Sequence, residues 1–97
     1  MIDPITNYIL EMKTPTEKDI IKLMEEQWFN NRKKIRASDK LYRLGVDEMD
    51  LVELLVTIQK EYKFHLKEPE SKVIKSWLKN GTVNDIIKYV LMNKKGR

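Results

Sequence analysis

Seven consecutive residues, Asp47 to Glu53 (DEMDLVE), carry four carboxylates and no base. Directly upstream, NNRKKIRASDKLYR carries six basic side chains and one acid. The chemistry open to these two groups is recognition of charge. Asp47, Glu48, Asp50 and Glu53, with Met49 among them, can present a negative surface to a basic partner; the alternative is an ordinary solvated helix start. Arg32, Lys33, Lys34 and Arg36 can bind anions, as a nucleic-acid contact or on an anionic membrane; the alternative is a solvated loop. Only Tyr42 interleaves an aromatic ring with these cations. The stacking platform that single-stranded nucleic acid uses is therefore thin, and nucleic acid is not the favoured partner. Bond-making chemistry has little to build on. The chain has no cysteine and one histidine, His65, with no serine near it. It has no glycine-rich phosphate loop, and no ligand set converges on His65 at metal-binding spacing. Neither an enzyme nor a metal site is expected.

The elements that must position these groups read as helices. Asp3 can cap a first short helix, with Pro4 at its first position and Ile5, Tyr8, Ile9 and Met12 at helical spacing. In T-P-T-E, Thr14 as N-cap, Pro15 and Glu17 form a capping box. Ile20, Leu23, Met24, Gln27 and Trp28 give the next helix a face, ending near Phe29 to Asn31. Asn30 to Gly45 then reads as a long ordered loop, pinned by Ile35, Leu41, Tyr42 and Leu44. Gly45 permits the turn into the next helix, where Asp47 is the N-cap and Glu48 and Asp50 favour its positive end. Leu51, Leu54, Leu55, Ile58 and Tyr62 make this the central buried helix. After a connector at HLKEP, Pro69 starts a helix bearing Val73, Ile74, Trp77 and Leu78. Asn80-Gly81 stops it, with Gly81 in the left-handed conformation. Thr82 recaps, and Val83, Ile86, Ile87, Val90 and Leu91 form the last face. Trp28 and Trp77 belong to the core.

At 97 residues the chain is read as one domain, 1–97. Residues 1–13 are an N-terminal extension, and 92–97 a frayed basic tail. Charged residues make up 35% of the chain and the net charge is +4, which permits anionic partners without calling for one. The start of the chain lacks the long apolar run of a secretory signal, and no run is long enough to span a bilayer. A small soluble cytoplasmic monomer is expected.

The order of parts is itself informative. A capped helix and a long loop are followed by Leu44-Gly45-Val46-Asp47, Met49-Asp50 and Val52-Glu53-Leu54. Then come Glu61 to Phe64 (EYKF) and Thr82-Val83 with Ile87 to Val90. This arrangement, over roughly Thr16 to Val90, resembles the acyl carrier protein family. The resemblance implies an all-α bundle of three main helices plus a short one, here with an extra short N-terminal helix. It also implies a partner surface on the helix that begins near Asp47, and phosphopantetheine as the cofactor, carried on the serine after the motif aspartate. In this chain that position is Glu48, and a carboxylate cannot form the required phosphodiester. Ser38, Ser71 and Ser76 lie outside the motif. The basic loop also departs from the family's acidic surface.

The expectation is thus a non-catalytic, carrier-like interaction domain without covalent phosphopantetheine. Asp47, Glu48, Met49, Asp50 and Glu53 would bind a protein partner, possibly a fatty-acid or polyketide-type enzyme. The alternatives are a small nucleic-acid-binding domain using Arg32 to Arg43, or non-covalent binding of an apolar ligand between the helices.

Overall fold

The computed structural model describes residues 14–95. Within them lie five helices and one two-stranded ladder. Helix α1 is Glu17–Phe29, α2 Leu41–Leu44, α3 Glu48–Tyr62, α4 Ser71–Asn80 and α5 Val83–Asn93. Strands β1, His65–Leu66, and β2, Lys94–Lys95, pair antiparallel, His65 against Lys95 and Leu66 against Lys94. The architecture is the all-α bundle expected from the sequence. The extra N-terminal helix lies outside the described residues, as does Arg97. Lys94 and Lys95, in the segment read as the basic tail, pair through their backbone with the connector strand.

Each long helix forms because its apolar residues recur on one side, and α1 and α3 open on capping boxes. Helix α1 buries Ile20 and Met24, and α3 buries Leu51, Leu54, Leu55 and Ile58. Helix α5 adds Val83, Ile86, Ile87 and Val90, and α4 adds Ile74. These side chains form one core, with α1 packed on α3 and α5, and α4 on α2 and α3. Leu91, expected on the buried face of α5, is 37% exposed.

Helix α1 starts two residues later than the sequence pattern indicated. The N-cap is Thr16, whose hydroxyl accepts the Asp19 N–H at 3.1 Å, while the Asp19 carboxylate accepts the Thr16 N–H at 2.9 Å. Two capping patterns overlap in TPTEKD, and the burial of Pro15 decides between them. With its ring in the core, Pro15 precedes the helix rather than opening it. Pro69 behaves alike: it is buried, and α4 starts at Ser71 after the N-cap Glu70.

Gly81 also has a different role from the one expected. Its φ is −82°, so it is not left-handed. A Cβ there would lie 2.7 Å from the Trp77 backbone, closer than any side chain can sit. The glycine is needed for close approach, which lets its N–H bond the Trp77 carbonyl at 2.7 Å.

Residues 30–40 form the ordered loop. Asn30 and Asn31 turn the chain out of α1 with φ of 54° and 62°. Asparagine tolerates this left-handed region better than most residues. Ile35 is buried and anchors the loop, and the Glu25 carboxylate accepts its N–H at 2.7 Å. The loop's far end is clasped to the α4–α5 junction. Leu41 N–H donates to the Gly81 carbonyl at 3.1 Å, Val83 N–H to Asp39 at 2.9 Å, and Asn84 N–H to Ala37 at 2.8 Å. The sequence read residues 30–45 wholly as loop, but Leu41–Leu44 close one helical turn. Leu41 and Leu44 are buried, whereas Tyr42, expected to help pin the loop, is 55% exposed.

Candidate functional site

The acidic start of α3 is built by three devices. Gly45 ends α2 with φ of 75°, open space around its α-carbon, and a conformation few other residues hold comfortably. Asp47 then caps α3. Its Oδ1 accepts the Asp50 N–H at 2.9 Å, and Asp50 Oδ2 accepts the Asp47 N–H at 3.0 Å. Finally, Trp28 donates its indole N–H to the Asp50 carbonyl at 3.3 Å, fixing this first turn to the end of α1. Two of the four carboxylates are therefore committed to the backbone. Glu48 and Glu53 project into solvent, and Met49 between them is 63% exposed.

The predicted partner residues Asp47, Glu48, Met49, Asp50 and Glu53 thus share one helix start. Acids near a helix N-terminus are favoured by its partial positive charge, so this surface is stable as well as negative. Two exposed carboxylates beside an exposed thioether can dock a surface that is itself basic and partly apolar.

The predicted anion-binding residues Arg32, Lys33, Lys34 and Arg36 are all exposed on the loop. Asp39, the acid among them, accepts the Arg36 N–H at 2.8 Å and so holds backbone. Two rings lie beneath cations. Lys33 Nζ is 5.3 Å from the Phe29 ring centre, and the Arg43 guanidinium is 5.9 Å from that of Tyr42. Arg43 Nε donates to the Tyr42 hydroxyl at 3.5 Å, and this neighbour holds the phenol below its ordinary pKa. The sequence found only Tyr42 among these cations. Phe29 was missed because it lies at the end of α1 and meets Lys33 only once the chain has turned back.

A groove of about 270 Å³ lies between α3 and the connector, lined by Val52, Leu55, Val56, Gln59, Leu66, Lys67, Glu68 and Pro69. Val56 on its edge is 42% exposed. Its outer wall is held in place. Gln59 Oε1 accepts the Leu66 N–H at 3.0 Å, and the Tyr89 hydroxyl donates to the Lys67 carbonyl. The fixing residues are distant in sequence, and no local pattern marks them. Among the described residues no cluster of histidine and carboxylates could hold a metal. No helix among them is long and apolar enough to cross a membrane.

No family model matches the chain, and no solved structure does. Curated proteins do. An acyl carrier protein of Wolinella succinogenes is 27% identical over 77 residues, which is 78% of this chain and 93% of that protein. An acyl carrier protein of Rickettsia massiliae is 31% identical over 84 residues, 84% of this chain and 90% of its own length. Another, from Rickettsia africae, matches to the same extent. The chain belongs to the acyl carrier protein family. The all-α bundle is consistent with that membership. The basic loop and the glutamate at position 48 are the sequence features of this member that most need explaining.

Proposed function

We propose that this chain is an acyl-carrier-type interaction domain that carries no covalent phosphopantetheine and docks a basic protein partner through the start of α3. The observation that carries this is Glu48. It is the first residue of α3, directly after the N-cap aspartate, and it is exposed. In the family pattern this position is the attachment serine. A carboxylate has no hydroxyl to form a phosphodiester with the arm, so the residues present do not fit the group. Ser38 lies on the basic loop, while Ser71 and Ser76 lie on α4, none at this helix start. What remains is a scaffold with a negative docking face and no catalytic group. Its partner would be an enzyme of the kind that receives acyl carriers, of fatty-acid or polyketide type, engaged by shape and charge alone.

The test is intact mass after co-expression with a phosphopantetheinyl transferase. The mass of the wild-type chain should not change, and a gain equal to the arm would overturn the proposal. Glu48→Ser should remain folded, because serine is also tolerated at a helix start. It should then gain one arm.

A second function is favoured by one observation. The groove is lined on α3 by Val52, Leu55 and Val56 beside Gln59, with Leu66 opposite, and is partly open. It would hold an apolar chain non-covalently. Titration with a fluorescent apolar probe, and its loss in Val56→Asp, tests this without reference to the arm.

A further inference from the structure

The two charged regions and two apolar features meet at one end of the bundle. The Trp28 hydrogen bond to Asp50 sets the end of α1 beside the first turn of α3. The basic loop leaves α1 at Asn30, two residues past Trp28, and Arg32 lines the same hollow as Trp28. Yet no ion pair joins the two groups among the described residues. At the same end, Met49 is 63% exposed. An open hollow, lined by Gln27, Trp28, Phe29, Asn30 and Arg32, lies at the end of α1. Two half-buried rings among polar neighbours, beside an exposed thioether and a charged rim, match the anatomy of a protein interface. Thioethers also pack favourably against aromatic rings.

The signs of the charges narrow the partner. A nucleic acid drawn to Arg32 and Lys33 would bring its phosphates against Glu48 and Glu53. A purely acidic protein meets the same repulsion. A surface that answers both regions at once carries both signs around an apolar centre, and this chain carries such a surface itself. A twofold axis sets the basic loop of each copy against the acidic start of the other, and the pairing closes at two.

We propose that two copies of this chain pair through this end, with Met49 of each seated in the Trp28–Phe29 hollow of the other and Glu48 and Glu53 facing Arg32 and Lys33. Exposed ion pairs are individually weak and screened by salt, so the dimer is weak and salt-sensitive. The proposal does not rest on the absence of phosphopantetheine or on a basic enzyme partner. It does use the same face, so pairing and partner docking exclude each other. Self-association then holds the docking face back when the chain is abundant.

Sedimentation velocity on the full chain, over a concentration series at low and high salt, tests this. The mass should rise from 11.6 kDa toward twice that value. Half-molar salt should weaken the dimer by about tenfold or more, given screening over a few ångströms. Arg32→Glu with Lys33→Glu should abolish pairing, as should Glu48→Lys with Glu53→Lys, and mixing the two double variants should restore it. Wild-type amide NMR shifts should change with concentration at residues 28–36 and 47–53, a readout that needs no variant. A chain that stays monomeric at every concentration overturns the proposal. So do dimers that survive both charge reversals, or shifts confined to other faces. Salt-dependent oligonucleotide binding by a monomer, lost in Arg32→Glu with Lys33→Glu, assigns the loop to nucleic acid and also overturns it. Mass labelling by a phosphopantetheinyl transferase bears only on the proposed function, so the two can fail separately.

Discussion

The loop at residues 30–40 and the start of α3 are both dense in charge, and both divide it in the same way. In the loop, Glu25 and Asp39 hold the Ile35 and Arg36 backbone amides, while the cations face outward. At the start of α3, Asp47 and Asp50 hold each other's backbone amides, while Glu48 and Glu53 face outward. The outward charge is positive in one region and negative in the other. What a region offers a partner is therefore not its charge composition. It is the remainder after the backbone has been satisfied.

The largest test of this comparison is Ile35→Ala. Emptying the loop's buried anchor should cost about 2–5 kcal/mol of stability by chemical denaturation, the range for large-to-small core changes. A cost under about 1 kcal/mol, below typical core values, would mean that the loop is not anchored there. Next comes Asp47→Ala. Losing an N-cap should cost about 1 kcal/mol. Thr16→Ala, at the matching box of α1, should cost about the same. A much larger cost at Asp47 would show that the α3 start does more than cap. Smaller still is Glu48→Gln, where loss of a first-turn charge should cost about 0.3–1 kcal/mol and less in high salt. Lys34→Ala, which removes an exposed cation with no ion pair among the described residues, should stay within about 0.5 kcal/mol of wild type. A larger loss would mean that Lys34 has a structural role. The last test moves no stability. Arg43 holds the Tyr42 phenol below its ordinary range, while burial raises those of Tyr62 and Tyr89. As pH rises, an ultraviolet titration should show an early phenolate phase. Tyr42→Phe should remove that phase, and its persistence would move the assignment elsewhere.

The helices and most of their buried faces were legible because periodicity is local. Asp47 as N-cap and Glu48 at the first turn were read directly from the order LGVDEMD. Its reciprocal bond with Asp50 follows the same rule as Thr16 with Asp19. The start of α1 was misread because TPTEKD satisfies the capping pattern twice, and only the burial of Pro15 chooses. Gly81 was misread because its neighbour, the Trp77 backbone, is set by how α4 ends. The turn of α2 and the two-residue ladder are too short to show a period. Trp28 and Trp77, read as core, are only half-buried and pack against its edge, and the Trp28 hydrogen bond to Asp50 spans 22 positions and has no sequence signature. The reading of Glu48 as the replaced attachment position rests on family resemblance alone, since its bare chemistry is that of any first-turn acid.

The clasp between residues 37–41 and 81–84 joins segments some forty positions apart in the chain. Closing so long a loop is entropically slow, and its bonds reward the chain only after α4 and α5 have docked. The basic segment therefore takes its shape late in folding, after the start of α3 has been able to form from neighbours. The same dependence operates in the finished protein. If the α4–α5 junction opens, the Leu41, Val83 and Asn84 amides lose their acceptors together. They should exchange with solvent hydrogen at one common rate, as a single cooperative unit.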